Sequence, residues 1–366
     1  SVLLGTLGAV AVLAAARGAG RRMAVACGLM FALHPALVTY TPALMTEGIT
    51  ASLLAIAMAF AIRAQRRSLL AAAGLGLTIG LLTYVRPQNV IFAPLLPLLA
   101  GLARERSWRS LRRAVPGAAL ALAVALALVA PWTYRNCTEM GRCALVSVNG
   151  GWNLLIGTDQ DAGGTWAALK VPEPCREVWD EAEKDACFGR AAREAITARP
   201  GAWLALAPSK LAVTFEYFGA GPWYLHASSP DAFSARAKQV WGGAELLTQR
   251  LLSFAALAAI LARLRPHLVP VRGRAARFGP ALVALALGLS GTIATLALGA
   301  LGLLSALHPR LAGPEAPRRI VPAAVILATA AIHAVFFGAG RYGLVVVPAT
   351  ILLVSVWADR GRPSGF

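Results

Sequence analysis

Acidic residues are scarce in this chain: 17 of 366 positions are Asp or Glu, against 35 Lys or Arg. Only Glu47 and Glu105 precede position 137. Charged residues of both signs total 14%, and 57% of the chain is hydrophobic, whereas a soluble domain carries about 25% charged residues. That shortage excludes an ordinary soluble globular domain. Several local patterns are missing as well. There is no Walker loop, no nucleophile elbow, no HExxH and no repeat of 20–50 residues. Residues 1–16 have neither a basic start nor a clear cleavage site, so they do not read as a signal peptide.

What is present is a series of apolar runs separated by short basic clusters. The formal charge of +18 would suit a nucleic-acid binder, but its distribution does not. Arg17, Arg21 and Arg22 form one cluster, Arg63, Arg66 and Arg67 a second, and Arg104, Arg106, Arg109, Arg112 and Arg113 a third. Loops almost free of charge alternate with them. By the positive-inside rule the basic loops are cytoplasmic, and no nucleic-acid partner is expected. With roughly 20 apolar residues per span, the runs at 2–16, 23–44, 48–63, 69–85, 90–103, 114–133, 247–263, 279–306, 320–338 and 343–357 predict about ten transmembrane helices. The expectation is an all-α polytopic membrane protein. One conflict stands: basic residues on both sides of 279–306 (Arg265, Arg272, Arg274 and Arg277 before it, Arg310, Arg318 and Arg319 after it) put both flanks in the cytoplasm. Either that run is a bent or re-entrant pair, or one loop breaks the rule. In this orientation Ser1 lies outside, so an earlier helix is expected upstream.

Residues 134–240 are different material and read as an outer α or α/β insertion of about 100 residues, dividing helices at 1–133 from helices at 241–366. From 137 to 235 twelve acids face eight bases, a balance of −4. Cys137, Cys143, Cys175 and Cys187 fall here, which suits two disulfides in an oxidising compartment such as a periplasm. The local pairing, 137–143 with 175–187, is one of three possible connectivities, and a zinc site is the weaker alternative. Aromatic residues Trp203, Phe215, Tyr217, Phe218, Trp223 and Tyr224 suggest an amphipathic helix at the headgroup level. Cys27, inside a span, reads as a small packing residue.

Few residues are left for chemistry. Glu47 is the lone acid before Arg104, placed between two apolar runs, and ionisable groups at membrane depth are costly enough to suggest function. A helix N-terminal acid opposing the dipole is the plainer reading. His34 and Tyr40 precede it on the same stretch; a His34/Glu47 metal pair is a weak possibility. Arg86, Arg135 and Arg341 sit at outer span ends against the positive-inside trend. Pro87 turns the chain after Arg86, and a guanidinium at such a break can bind phosphate bidentately; snorkelling to headgroups is the alternative. Gly74, Gly76 and Gly80 superficially resemble a nucleotide loop, but within an apolar helix they indicate close packing.

The series Ala16-Arg17 to Arg22, Ala32-Leu33-His34-Pro35-Ala36 through Met45-Thr46-Glu47, Tyr84-Val85-Arg86-Pro87-Gln88, Ala130-Pro131-Trp132-Thr133-Tyr134-Arg135-Asn136, Ser147 to Gly157 and Gly340-Arg341-Tyr342 resembles the GT-C membrane glycosyltransferases of the family 39 type, related to protein mannosyltransferases and aminoarabinose transferases. The resemblance implies a multi-pass enzyme of the bacterial inner membrane. It would move a sugar from a polyprenyl-phosphate donor to a lipid, glycan or protein acceptor on the outer face. It further implies that Arg86, Arg135 and Arg341 hold the donor phosphate, while Glu47 orients the acceptor or helps bind a divalent metal. Tyr40, Asn149, Gly150 and Tyr342 would line the cleft. The familiar Arg-Pro-Glu reads Arg86-Pro87-Gln88 here, and the family's first outer carboxylate is expected upstream of Ser1. A lipid transporter or flippase, or an inactive fragment or structural envelope subunit, are the competing classes.

Overall fold

A computed structural model describes residues 1–43, 45–64, 68–216, 219–268 and 274–358. Arg66, Arg67, Tyr217, Phe218 and Arg272 lie outside the described residues, as do the side chains of Arg274 and Arg277. The described chain is helical: α1 (Val2–Ala16), α2 (Arg21–Ala32), α3 (Pro35–Thr39), α4 (Thr46–Ala64), α5 (Leu69–Val85), α6 (Phe92–Glu105), α7 (Trp108–Glu139), α8 (Gly150–Ile156), α9 (Glu181–Ala198), α10 (Pro200–Ala205), α11 (Ala207–Phe215), α12 (Ala220–Ser228), α13 (Ala235–Leu268), α14 (Arg274–Gly288), α15 (Gly291–Leu307), α16 (Pro317–Val335) and α17 (Val347–Val354). Among the described residues the sole β-type pairing is an isolated bridge between Thr165 and Gly338. Among the described residues of 134–240 the regular structure is helical, with no strand. Six segments are long and apolar enough to cross a membrane: Val2–Ala19, Thr46–Arg63, Trp108–Glu139, Ala235–His267, Pro317–Val335 and Gly340–Ala358. The last is the most enclosed of the six.

Small residues set the helix spacing. A Cβ on Gly76 of α5 would stand 2.5 Å from the Ala121 carbonyl of α7, and one on Gly80 would stand 2.8 Å from Leu128. Gly74 meets the Phe60 ring of α4 at 2.7 Å in the same way. Backbones can approach this closely only where no side chain intervenes, so the three glycines are a packing seam. No phosphate loop is formed there.

The run at 279–306 is two helices. α14 stops at Gly288, and the Ser290 side chain accepts a hydrogen bond from the Ile293 N–H to cap α15. The turn is held from outside its own helices. Glu216, at the end of α11, accepts hydrogen bonds from the Ser290 hydroxyl, the Gly291 N–H and the Thr292 N–H, and pairs with Arg250 of α13 at 2.7 Å. A carboxylate at a helix N-terminus meets both unsatisfied amides and the positive dipole end. Burial raises the Glu216 pKa, but these hydrogen bonds outweigh it and bring the carboxyl down to about 2.

The segment 200–228 is not one interfacial helix. It breaks into α10, α11 and α12, and α11 turns Lys210, Thr214 and Phe215 inward. Lys210 is wholly buried; its ammonium donates to the Ala334 and Val335 carbonyls at 3.2 and 3.3 Å, and so caps α16. Cys137 is bonded to Cys143 just after α7, and Cys175 to Cys187 on α9. α7 and α13 run through positions 133 and 240, so the insertion is a continuation of two long helices with α8–α12 between them.

Two outcomes follow from this packing. Gly76→Val lowers detergent-solubilised stability by about 1–3 kcal/mol through overpacking, whereas Gly5→Val, with open space around its Cβ, leaves the melting temperature unchanged. Because the folded Glu216 pKa lies below its ordinary value of 4.5, its contribution is complete above about pH 4.5 and disappears as pH falls toward 2. The melting-temperature gap between wild type and Glu216→Gln is therefore wide at pH 5 and shrinks toward pH 2.5; a constant gap contradicts this assignment.

Candidate functional site

The site forms where three helix ends meet. α4 begins at Thr46-Glu47, with Gly48 lying against Tyr40: a Cβ there would be 3.2 Å from Tyr40 Cβ. α5 ends at Val85 because Pro87 disfavours helical backbone at the residue before it, and Arg86 is extended at φ −148°, ψ 100°. α16 ends at Val335, and the chain crosses to a 3-10 turn, Gly340–Val346, that carries Arg341 and Tyr342.

Glu47 is 1% exposed, and its Oε1 accepts from Arg86 Nη2 at 2.5 Å and lies 3.3 Å from Arg341 Nε. Its Oε2 is buried and has no hydrogen-bond partner among the described residues, as is true of Arg86 Nε. The Tyr342 ring is shared: the Arg86 guanidinium lies 4.6 Å from its centroid and that of Arg341 5.2 Å. His333 stacks on Tyr342 at 4.5 Å, fixed by Nδ1–H donation to the Phe337 carbonyl at 3.1 Å. Two guanidiniums against one carboxylate leave a formal +1. Cation–π contacts spread part of that charge over the ring, but the cluster stays short of one negative charge.

Two cavities flank the cluster. One of about 210 Å³ is bounded by Arg86, Gln88, Ser147, Asn149, Asn153 and Tyr342, with Gly150 also on its wall. The other, of about 570 Å³, is lined by Trp166, Trp223, Tyr224 and Arg341. The Tyr224 hydroxyl lies 3.5 Å from Arg341 Nη1. The arginines thus divide an amide-rich space from an aromatic one. Glycines let residues from the 134–240 segment close on this wall. A Cβ on Gly157 would collide with the Phe336 carbonyl, and one on Gly338 with that of Lys210.

Glu47, Arg86, Arg341 and Tyr342 are in contact with one another, and Asn149 and Gly150 line the adjoining cavity. Arg135 is elsewhere: it is exposed on α7, beside the Trp132 ring at 5.1 Å and Asn136 at 3.3 Å. Tyr40 is buried between Gly48 and Gly221 and lines a third cavity that includes neither arginine. His34 uses Nδ1 to accept from the Ala36 N–H, capping α3. Among the described residues no group of three or more His, Cys, Asp or Glu could hold a metal ion. In the sequence Tyr224 stands out only as part of the aromatic 201–224 stretch, and His333, Lys210 and Glu245 do not stand out. The last is 1% exposed and accepts from the Thr39 hydroxyl at 2.5 Å. Each of the two charged ones is isolated by sign or type: Lys210 is the only base between Arg199 and Arg236, and Glu245 the only acid between Asp231 and Glu315.

Comparison with protein-family models, curated proteins and solved structures finds no match.

Removing one member of a buried ion cluster leaves the others uncompensated, at a cost of about 3–5 kcal/mol. Glu47→Leu is therefore strongly destabilising in chemical denaturation. Arg86→Met in the same chain restores part of the loss, because one surplus cation is gone. Strictly additive losses would show that the two residues do not share charge.

Proposed function

We propose that the chain is a multi-pass membrane glycosyltransferase whose phosphate-binding centre is the Glu47–Arg86–Arg341 cluster, acting on a polyprenyl-phosphate-linked sugar at the outer face. The observation that carries this reading is the residual positive charge of a mostly buried cluster placed between two cavities. Such a centre favours an anion, and fixed guanidiniums in a water-poor cleft stabilise a phosphate that gains charge as it leaves.

The topology that goes with it has eleven crossings: α1, α2 with α3, α4, α5, α6, α7, α13, α14, α15, α16 and α17 with its flanking turns. With α14 and α15 as separate crossings, the basic stretches before 279 and after 306 both fall on the cytoplasmic side. The Ser290 turn is then outside, beside Glu216 of the insertion. Glu47, Arg86 and Arg341 fall on that same outer side, and the insertion is periplasmic, where its disulfides are stable.

Within the site, Glu47 Oε1 sets the two arginines, and Oε2 is left to accept a hydrogen bond from an acceptor hydroxyl. Arg86 and Arg341 hold the donor phosphate; Arg135 has no part in it. Asn149, Asn153 and Gln88 supply amides for sugar hydroxyls. The acceptor is a lipid, glycan or protein. Its oxygen displaces polyprenyl phosphate at the anomeric carbon, losing its proton to a general base.

The test is transfer of labelled sugar from polyprenyl-phosphate pentose and hexose donors by the full-length protein in lipid nanodiscs. Arg86→Ala lowers turnover about 10²–10³-fold, the usual cost of one charge-stabilising donor, and Glu47→Gln/Arg86→Ala abolishes it. Full activity in the double variant overturns the site assignment; a wild type inactive on every such donor overturns the reaction.

A further inference from the structure

At the other end of α5, about 25 Å from Arg86 by the helix rise of 1.5 Å per residue, the structure forms a second charged cleft. It measures about 400 Å³ and lies between the start of α5, the end of α6 and the start of α7. Its polar wall comprises Ser68, Arg104, Glu105, Ser110 and Arg113, and its apolar wall runs from Leu69 and Ala72 to Pro116 and Gly117. We propose that this cleft binds the phosphodiester headgroup of an anionic membrane lipid. The inference does not rest on the transferase reading.

The first support is the shape of the seam. Lower on α5, Gly76 and Gly80 bring α7 into direct backbone contact. At Gly117 the helices have parted: among the described residues a Cβ there would find only the Ala72 methyl, at 3.9 Å. The cleft is this opening, and it continues into an apolar wall instead of closing. Free phosphate needs no such wall; an acyl-linked headgroup does.

The second support is charge. Residues 104–113 contain Arg104, Arg106, Arg109, Arg112 and Arg113 against Glu105 alone, a balance of +4. Glu105 pairs with Arg113 at 3.3 Å, both half exposed, which neutralises one guanidinium weakly at that dielectric. Arg104 stands on the same wall. The corner that gathers these groups is tight: Arg106 adopts left-handed backbone at φ 46°, ψ 38°, unusual for a residue with a side chain.

The third support is the rim. Leu69, Leu70, Trp108 and Val115 are 67%, 84%, 64% and 50% exposed, and the Arg112 guanidinium lies 5.5 Å from the Trp108 ring centroid. Apolar residues beside an aromatic and arginines mark the boundary between acyl chains and headgroups. Basic pockets between helices at that level recognise anionic lipids.

The experiment is native mass spectrometry of the detergent-solubilised chain titrated with dioleoyl phosphatidylglycerol, dioleoyl phosphatidylcholine or inorganic phosphate. Wild type retains one phosphatidylglycerol at least tenfold more tightly than phosphatidylcholine. Arg104→Gln/Arg113→Gln abolishes that preference, whereas the charge-matched Arg21→Gln/Arg22→Gln, at the exposed start of α2 and away from the cleft, keeps it. Gly117→Leu, which fills the opening without altering charge, blocks retention and guards against misfolding of the arginine variant. Equal retention of the two lipids, or the same loss in both double variants, overturns the site. Displacement of phosphatidylglycerol by equimolar inorganic phosphate overturns the lipid as its ligand.

Discussion

Everything around the meeting point of α4, α5 and α16 depends on one carboxylate with two claimants. Glu47 lies out of water and binds Arg86 and Arg341 through a single oxygen. Two like charges brought this close in a low-dielectric setting repel strongly, and the shared carboxylate and the shared Tyr342 ring make their approach tolerable. Three unconnected stretches are tied there: the start of α4, the break after α5 and the crossing from α16 to α17. The same arrangement leaves the cluster one negative charge short. A structural salt bridge needs no such deficit; an anion site does.

The surrounding architecture serves to hold those ends still. α5 is locked against α7 and α4 by glycines, so Arg86 issues from a fixed helix terminus. α16 is capped by Lys210 from the insertion, which steadies the chain just before Phe337, Arg341 and Tyr342. Glu216 does for the α14–α15 turn what Lys210 does for α16. In both cases a charged side chain from residues 134–240 satisfies backbone groups at a helix end, Lys210 from full burial and Glu216 from a partly exposed position.

Much of this was legible in the residues, for identifiable reasons. Apolar runs of span length and the near absence of acids predict a helical membrane protein, and the described helices agree with that class. Gly74, Gly76 and Gly80 in an apolar run predict close packing, and they pack closely. Glu47, Arg86 and Arg341 stand out because each is a lone charge at an apolar helix end. Arg135 has the same signature and lies apart on an exposed face of α7, since sequence position does not say which way a residue at a helix end faces. The split at 289–290 was hidden because Leu289 and Ser290 do not break hydropathy; only the charge conflict on either side hinted at it. Lys210 and Glu245 were hidden among aromatics and behind the assumed start of a span.

The central claim is that the Glu47-bridged arginines recognise phosphate. It is tested most directly by the affinity of the full-length protein in nanodiscs for a polyprenyl phosphate against the polyprenol of the same chain length. The account predicts at least tenfold tighter binding of the phosphate, with the difference lost in Arg86→Met/Arg341→Met while polyprenol binding is unchanged. Equal affinity for the two lipids in the wild type would contradict it.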